Sequence, residues 1–337
     1  MLEFKPSVET FVVEEIAAYE PSGEGEHTYL WIEKQGLTTL DAIKHLARVL
    51  GVDDRDAGYA GMKDRHATTR QWVSLPRVDV ERAKLVEAPG LRVLAASRHG
   101  NKLRLGHLRG NKFEVVVVTD DAAGVETRLR ALAAGGVPNR YGEQRFGAAG
   151  DNAAAGLALL RGERRERNNR VRKLLLSAAQ SAVFNHALAI RAARPGGLRG
   201  VLAGDVLQKV ASGGIFITDD VATDQARVDT GELVVTGPLP GGREKEPPPG
   251  SPARALEDEA LAAAGATRED FARAGRDLPG ARRPLLVPLG LGEPAVQPEP
   301  NLVQPEAALE SLGHTALRLR FSLPSGSYAT VVVDALA

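Results

Sequence analysis

The chain has 337 residues, 43% of them hydrophobic and 4% aromatic, a length that suggests about two domains with ordinary cores. It has no cysteine, which excludes disulfides, thiolate metal sites, iron–sulfur clusters and cysteine nucleophiles. Its 43 basic residues balance 43 acidic ones, which excludes a uniformly basic nucleic-acid binder but allows local patches. No apolar run approaches the roughly 18 to 20 residues of a membrane helix, and the start lacks a signal-peptide pattern. A soluble, cytoplasmic protein is expected.

The pattern predicts a strand over 11–16, a turn around Gly23 and Gly25, and a second strand over 28–34. Thr38 or Thr39 caps a helix that puts Leu40, Ile43, Leu46 or Ala47, and Leu50 on one face and ends at Gly51. Strands are expected over 72–75, 91–96 and 102–108. The β-branched run over 113–119 reads as a central strand. A helix then runs from Asp120 or Asp121 to Gly135. Helical signals dominate from Ala148 to Arg194. Short strands are expected over 214–218 and 232–235, a Pro/Gly-rich loop over 238–252, and a helix over 253–264. Two strands, over 315–323 and 328–335, would close the chain. This mixed order is an α+β pattern. Because the last strands resemble the first part more than the middle, the middle reads as an insertion.

Several chemistries lack their motif. No lysine precedes Ser or Thr, so there is no P-loop; there is no HExxH and no histidine pair at metal spacing. The densest segment is GYAGMKDRHATTRQW, residues 58–72. Its glycines permit close backbone approach, and Asp64 lies between Lys63 and Arg65. Flanking cations favour an ionised carboxylate, which can serve as nucleophile or base; an Asp capping a turn is the plainer alternative. Residues 98–113 carry five bases, two histidines and no acid. Asn111 and Phe113, two apart on a strand, share a face and suit pairing with and stacking on a splayed base; a turn Asn and a core Phe is the plainer reading of these two residues alone. Residues 137–147, VPNRYGEQRFG, interleave bases with aromatics, and residues 161–173 carry seven bases against two glutamates. Such stretches follow phosphates, or simply face solvent.

Together and in this order, these segments resemble the TruD family of tRNA pseudouridine synthases. The resemblance rests on AGMKDRHATTRQW at 60–72, FVVEEI with GEGEH within 11–27, RHGNKLRLGHLRGNKF at 98–113, GVPNRYGEQRFG at 136–147, SAAQSAVFN at 177–185 and FSLPSGSYAT at 321–330. Residues 192–284 match least. The resemblance implies an α+β pseudouridine synthase catalytic domain with a mixed or antiparallel sheet in permuted order, formed by residues 1–137 and 291–337, with an inserted α/β TRUD domain over 138–290. It implies isomerisation of uridine 13 in the D arm of tRNA to pseudouridine, with no cofactor, no metal and no protein partner, by a monomer.

By motif match Asp64 is the catalytic aspartate, either attacking C1′ or taking the C2′ proton. Lys5 falls where the family places a basic partner for it. Phe11, Asn111, Phe113 and Tyr328 match substrate-pocket positions, and Glu15 an acidic one. Val8 and Thr10 depart from the proline and acidic residue usual near Lys5. Charge patterning, rather than the family, nominates Arg65, Arg104, Arg109, Arg145 and Arg170 for the RNA backbone. The competing readings are a tRNA-binding module without turnover and a related synthase acting on another RNA. An intact loop at Asp64 favours the enzyme.

Overall fold

The computed structural model describes residues 2–147, 149–299 and 314–337. The chain divides into two compact units, Met1–Gly135 with Pro288–Ala337, and Gly136–Val287. In chain order the first contains β1 (Leu2–Glu3), β2 (Phe11–Ala17), β3 (His27–Lys34), α1 (Thr39–Leu50), β4 (Gly58–Tyr59), β5 (Thr68–Pro76), α2 (Val80–Lys84), β6 (Glu87–Ala88), β7 (Leu91–His99), β8 (Leu108–Thr119) and α3 (Ala122–Gly135). The second contains β9 (Val137–Pro138), α4 (Asn152–Arg161), α5 (Asn169–Ala192), β10 (Val206–Lys209), β11 (Ile215–Ile217), α6 (Val221–Asp229), β12 (Leu233–Leu239), α7 (Pro252–Ala263), α8 (Arg268–Ala272), β13 (Ala281–Pro284) and β14 (Leu286–Val287). The chain then returns to the first unit with β15 (Gly290–Pro298), β16 (Thr315–Pro324) and α9 (Ala329–Leu336).

The first unit is an α+β fold on a mixed sheet. Its path runs β15-β16-β8-β2-β5-β3-β7-β6, with β1 added to β8 and β4 to β5. Neighbours are antiparallel except β2 and β5, which are parallel. β8 lies inside the sheet, so Val115, Val116 and Val117 are buried as the β-branched run predicts. The chain's last strand, β16, pairs with β8 over ten residues, from Thr315↔Thr119 to Pro324↔Gly110.

α1 starts on a capping box. The Asp41 amide donates to Thr38 Oγ1, and the Asp41 carboxylate accepts from the Thr38 amide. It ends at Gly51, whose φ of 76° is the left-handed cap that glycine favours. Ile43, Leu46 and Leu50 pack on Leu30, Ile32, Val73 and Leu75 of the sheet. Leu40, expected on that face, is exposed.

Two segments read as strands fold otherwise. Residues 102–107 are an irregular clasp: Leu103 donates its amide to Ser74 Oγ at 3.0 Å and Gly106 donates to Ala60 O at 2.8 Å. The alternation there is not a two-faced strand, since Leu103 is buried but Leu105 is 69% exposed. Residues 329–336 form α9, with Tyr328 at the N-cap, instead of the second arm of a hairpin. Its valines are β-branched, but burial of Val331, Val332, Val333 and Leu336 overrides that propensity.

In the second unit α5 packs on α4, α7 and β12, and one sheet runs β11-β10-β12-β13. Gly156 lets α4 and α5 touch: a Cβ there would lie 2.1 Å from Leu175 O. The helical region expected from Ala148 to Arg194 is broken at Gly162, and Ala148 lies outside the described residues. Pro238 and Leu239 continue β12, and the Pro/Gly-rich loop begins after them.

Candidate active site

Alternation along β3 puts Thr28, Leu30, Ile32 and Lys34 on the face that α1 covers. Lys34 is fully buried. Its ammonium donates to Leu37 O and to Asp64 O, both at 2.7 Å. Burial pulls its pKa down to about 8; the Asp64 carboxylate opposes that shift, Lys63 adds to it and Asp41 opposes it.

Every stage of the loop before β5 is tied to this same face. Gln71 Nε2 donates to Gly61 O at 3.1 Å, and Thr39 Oγ1 donates to Gln71 Oε1 at 2.9 Å. The Lys63 amide donates to Thr39 Oγ1 at 2.9 Å. Lys63 Nζ reaches Glu15 Oε2 at 2.9 Å, with both side chains almost wholly buried. Burial raises the pKa of Glu15, against the pull of Lys63 and of the Trp72 amide. Asp64 is held through its carbonyl by Lys34, while its own Oδ1 accepts from the His66 amide at 2.9 Å. Arg65 Nε donates to Gly36 O at 3.1 Å. The turn-capping reading of Asp64 therefore describes one of its oxygens, and the half-buried carboxylate still projects from a fixed loop.

Strand register continues the site. Glu15 of β2 stands opposite Asn111 of β8, which stands opposite Leu323 of β16. Asn111 and Phe113 do share a face. The Asn111 Oδ1 is buried with no partner among the described residues. Phe113 stacks on Phe11 (centroids 6.3 Å apart, planes 12° apart) and on Phe321 (5.5 Å, 30°). The turn after β16 is stitched to the start of β8 by Ser325 N donating to Arg109 O at 3.1 Å, and Tyr328, half-buried, follows this turn at the N-cap of α9. Glu15, Asn111, Phe113 and Phe11 thus share one face of the sheet, to which the Asp64 loop is tied through Lys63 and Glu15.

Lys5 stands apart. Its exposed ammonium lies 2.7 Å from Glu3 Oε1, and among the described residues no cation forms a direct ion pair with the Asp64 carboxylate. The departures near it are structurally occupied: Thr10 Oγ1 donates to Lys5 O at 2.6 Å, and Val8 O accepts from Thr68 Oγ1 at 2.7 Å.

A family model described as tRNA pseudouridine synthase D (TruD) matches residues 2–169 and 165–335. The chain belongs to the TruD family. It is 45% identical to the tRNA pseudouridine synthase D of Anaeromyxobacter dehalogenans strain 2CP-C, over 97% of this chain and 90% of that one. It is 41% identical to a tRNA pseudouridine synthase D of Thermus thermophilus, over 97% and 86%. The crystal structure of a Methanosarcina mazei protein, described as a candidate tRNA pseudouridine synthase D, has the same fold: TM-score 0.77, 21% identity, 99% of this chain and 93% of that one.

Of the arginines proposed for RNA in this TruD chain, Arg65, Arg104, Arg109 and Arg170 are exposed. Arg145 is not free. It donates to Ser177 and, at 3.2 Å, to Ser181, and lies 5.3 Å from the Tyr141 ring. That contact joins two motifs far apart in sequence, GVPNRYGEQRFG and SAAQSAVFN; Asn185 of the second exchanges hydrogen bonds with the Tyr141 backbone at 2.8 and 2.9 Å. In the run 161–173, Arg161 pairs with Asp270 and Arg172 with Asp277, whereas Arg164, Arg165, Arg167, Arg170 and Lys173 are exposed without ion pairs among the described residues. Sequence reasoning passed over Lys34, Thr39, Gln71 and the Lys63–Glu15 pair. A signal existed for Lys34: it occupies an inward position of an alternating strand, where a lysine is out of place.

Proposed function

We propose that this chain is the tRNA pseudouridine synthase of uridine 13 in the D arm, with Asp64 as the catalytic carboxylate, working as a monomer in the cytoplasm. The reaction is an isomerisation: the N1–C1′ bond breaks, the uracil turns, and C5 joins C1′. One proton leaves C5 and one is gained at N1, so no group is supplied and no cofactor is needed. A base within a folded arm must first leave its stack. Asp64 either attacks C1′ or removes the C2′ proton. By the resemblance, Phe113 lies beside the extruded uracil, Phe11, Asn111 and Tyr328 line its pocket, and Lys5 supports the carboxylate; the Asn111 amide suits pairing with a base edge. The unit containing Asp64 is the catalytic domain and the other the inserted TRUD domain.

The observation that carries this reading is the Asp64 loop. Its main chain is bound by Lys34, Thr39 and Gln71, and the neighbouring Lys63 pairs with Glu15, which stands opposite Asn111, whose Oδ1 is a buried acceptor with no protein partner among the described residues. The test is a mass-shift assay of unmodified tRNA, chemically labelled at pseudouridine after incubation with wild type or Asp64→Asn. One label at uridine 13, with wild type only, is expected. Label at other uridines would discard the substrate, and an active Asp64→Asn would discard the carboxylate.

A further inference from the structure

Lys34 ends β3 on its apolar face, where a leucine or methionine would bury without cost. A buried ammonium is expensive unless its surroundings compensate. Here neither hydrogen-bond acceptor is a carboxylate: both are main-chain carbonyls, of Leu37 and of Asp64, at 2.7 Å. The first closes the turn between β3 and α1. The second grips the residue whose carboxylate the reaction needs. The charged groups around the ammonium are Asp64 and Lys63 from the loop and Asp41 from α1, while β5 presents the neutral Thr69 opposite it. Lys5, the basic partner implied by the resemblance, has its ammonium on Glu3.

We propose that Lys34 is the positioning residue of Asp64: it pins the main chain from which the carboxylate projects and places a buried positive charge beside it. The lysine touches no substrate and acts through Asp64, so the inference rests on the reading of Asp64 as the catalytic carboxylate. A charge-assisted hydrogen bond to the Asp64 carbonyl holds the loop in one place while tRNA enters. Burial, which depresses the lysine's pKa to about 8, is opposed first by the Asp64 carboxylate, so the lysine's titration should respond to that charge.

That response is measured without altering Lys34. Wild type and Asp64→Asn carrying lysine labelled with carbon-13 at Cε are titrated by NMR from about pH 6 to 11. A buried lysine is expected to titrate near 8 in wild type and at lower pH in Asp64→Asn, which lacks the favourable charge. An unchanged midpoint overturns the proposal. In single turnover, Lys34→Met is expected to be at least roughly tenfold slower, with tRNA affinity within about threefold. A wild-type rate overturns the proposal, and so does a parallel loss of rate and affinity. If Lys34→Met does not fold, the titration decides. Asp64→Asn turnover is the control. Activity there fails the reading of Asp64 itself, whereas inactivity beside a fully active Lys34→Met fails the positioning role alone.

Discussion

Lys63 Nζ and Glu15 Oε2 lie 2.9 Å apart, with side chains only 5% and 1% exposed. The pair joins the loop before β5 to the middle of β2, one residue from Asp64. A buried ion pair is weak evidence for stability, but removing one partner strands the other's charge at about 3–5 kcal/mol. Lys63→Met therefore lowers stability by that order, and the loss depends on pH. Burial already raises the pKa of Glu15, and without Lys63 its charged form is less favoured still. A carboxylate with a raised pKa contributes most below its unfolded value and loses that contribution as pH rises. Urea unfolding should show a larger deficit at alkaline than at mildly acidic pH, and the double variant with Glu15→Gln should recover part of it. A pH-independent deficit would show that Glu15 does not carry the effect.

A second buried carboxylate, in the other unit, carries a pH prediction of its own. Glu244 lies after β12, and burial pushes its pKa up to about 8 from an ordinary 4.5; Arg282 opposes the shift, Glu257 adds to it and Arg268 opposes it. Its contribution is fully present below about pH 4.5 and is lost as pH rises through about 8. Glu244→Gln cannot release that proton, so the variant should lose less stability between neutral pH and pH above 8 than wild type. Parallel declines in urea midpoint would count against this assignment.

Gly110 tests the join of β8 and β16. A Cβ there would lie 2.2 Å from Leu323 O, a backbone atom that cannot swing aside. Gly110→Ala should cost about 1–3 kcal/mol. Because Asn111 is next in the chain, turnover should fall more than tRNA binding. An unchanged urea midpoint would mean that the strands part freely.

The exposed arginines before α5 make a quantitative prediction. If Arg164, Arg165 and Arg167 contact phosphates, their replacement by glutamine should reduce the salt slope of tRNA affinity by about two to three units. Stability should stay within about 0.5 kcal/mol, because none of the three is in an ion pair among the described residues. A slope equal to wild type would return the run to a solvated surface.

Lys5→Ala separates two cations. The exposed Lys5–Glu3 pair is worth less than about 1 kcal/mol, so the melting temperature should hardly move. A role at Asp64 requires more. Loss of a neighbouring cation disfavours a carboxylate's charged form, so the acidic limb of the pH–rate profile should move to higher pH. A profile identical to wild type would remove Lys5 from the site.

Much of the first unit is legible from the chain. β2, β3, α1 and β8 follow from alternation, a capping threonine, a terminal glycine and a β-branched run, all of them local signals. Residues 102–107 and 329–336 mislead for one reason: both have strand-like patterns whose fate is set by distant partners. Leu103 is drawn into a clasp by Ser74 Oγ. α9 is held beside α3, where Arg128 Nε donates to Leu336 O at 2.8 Å.

The sequence by itself determined the α+β class, the family, and Asp64, Asn111 and Phe113 as candidate residues, because motif identity and strand parity need no coordinates. Only the tertiary structure decided what surrounds Asp64. Lys34 is 30 residues away in sequence and Glu15 is 48 from Lys63, and their meeting depends on β3 and β2 both flanking β5. A lysine's charge is visible in the chain, but its burial, its acceptors and hence its influence on a carboxylate arise only when strands distant in sequence exclude water from it together.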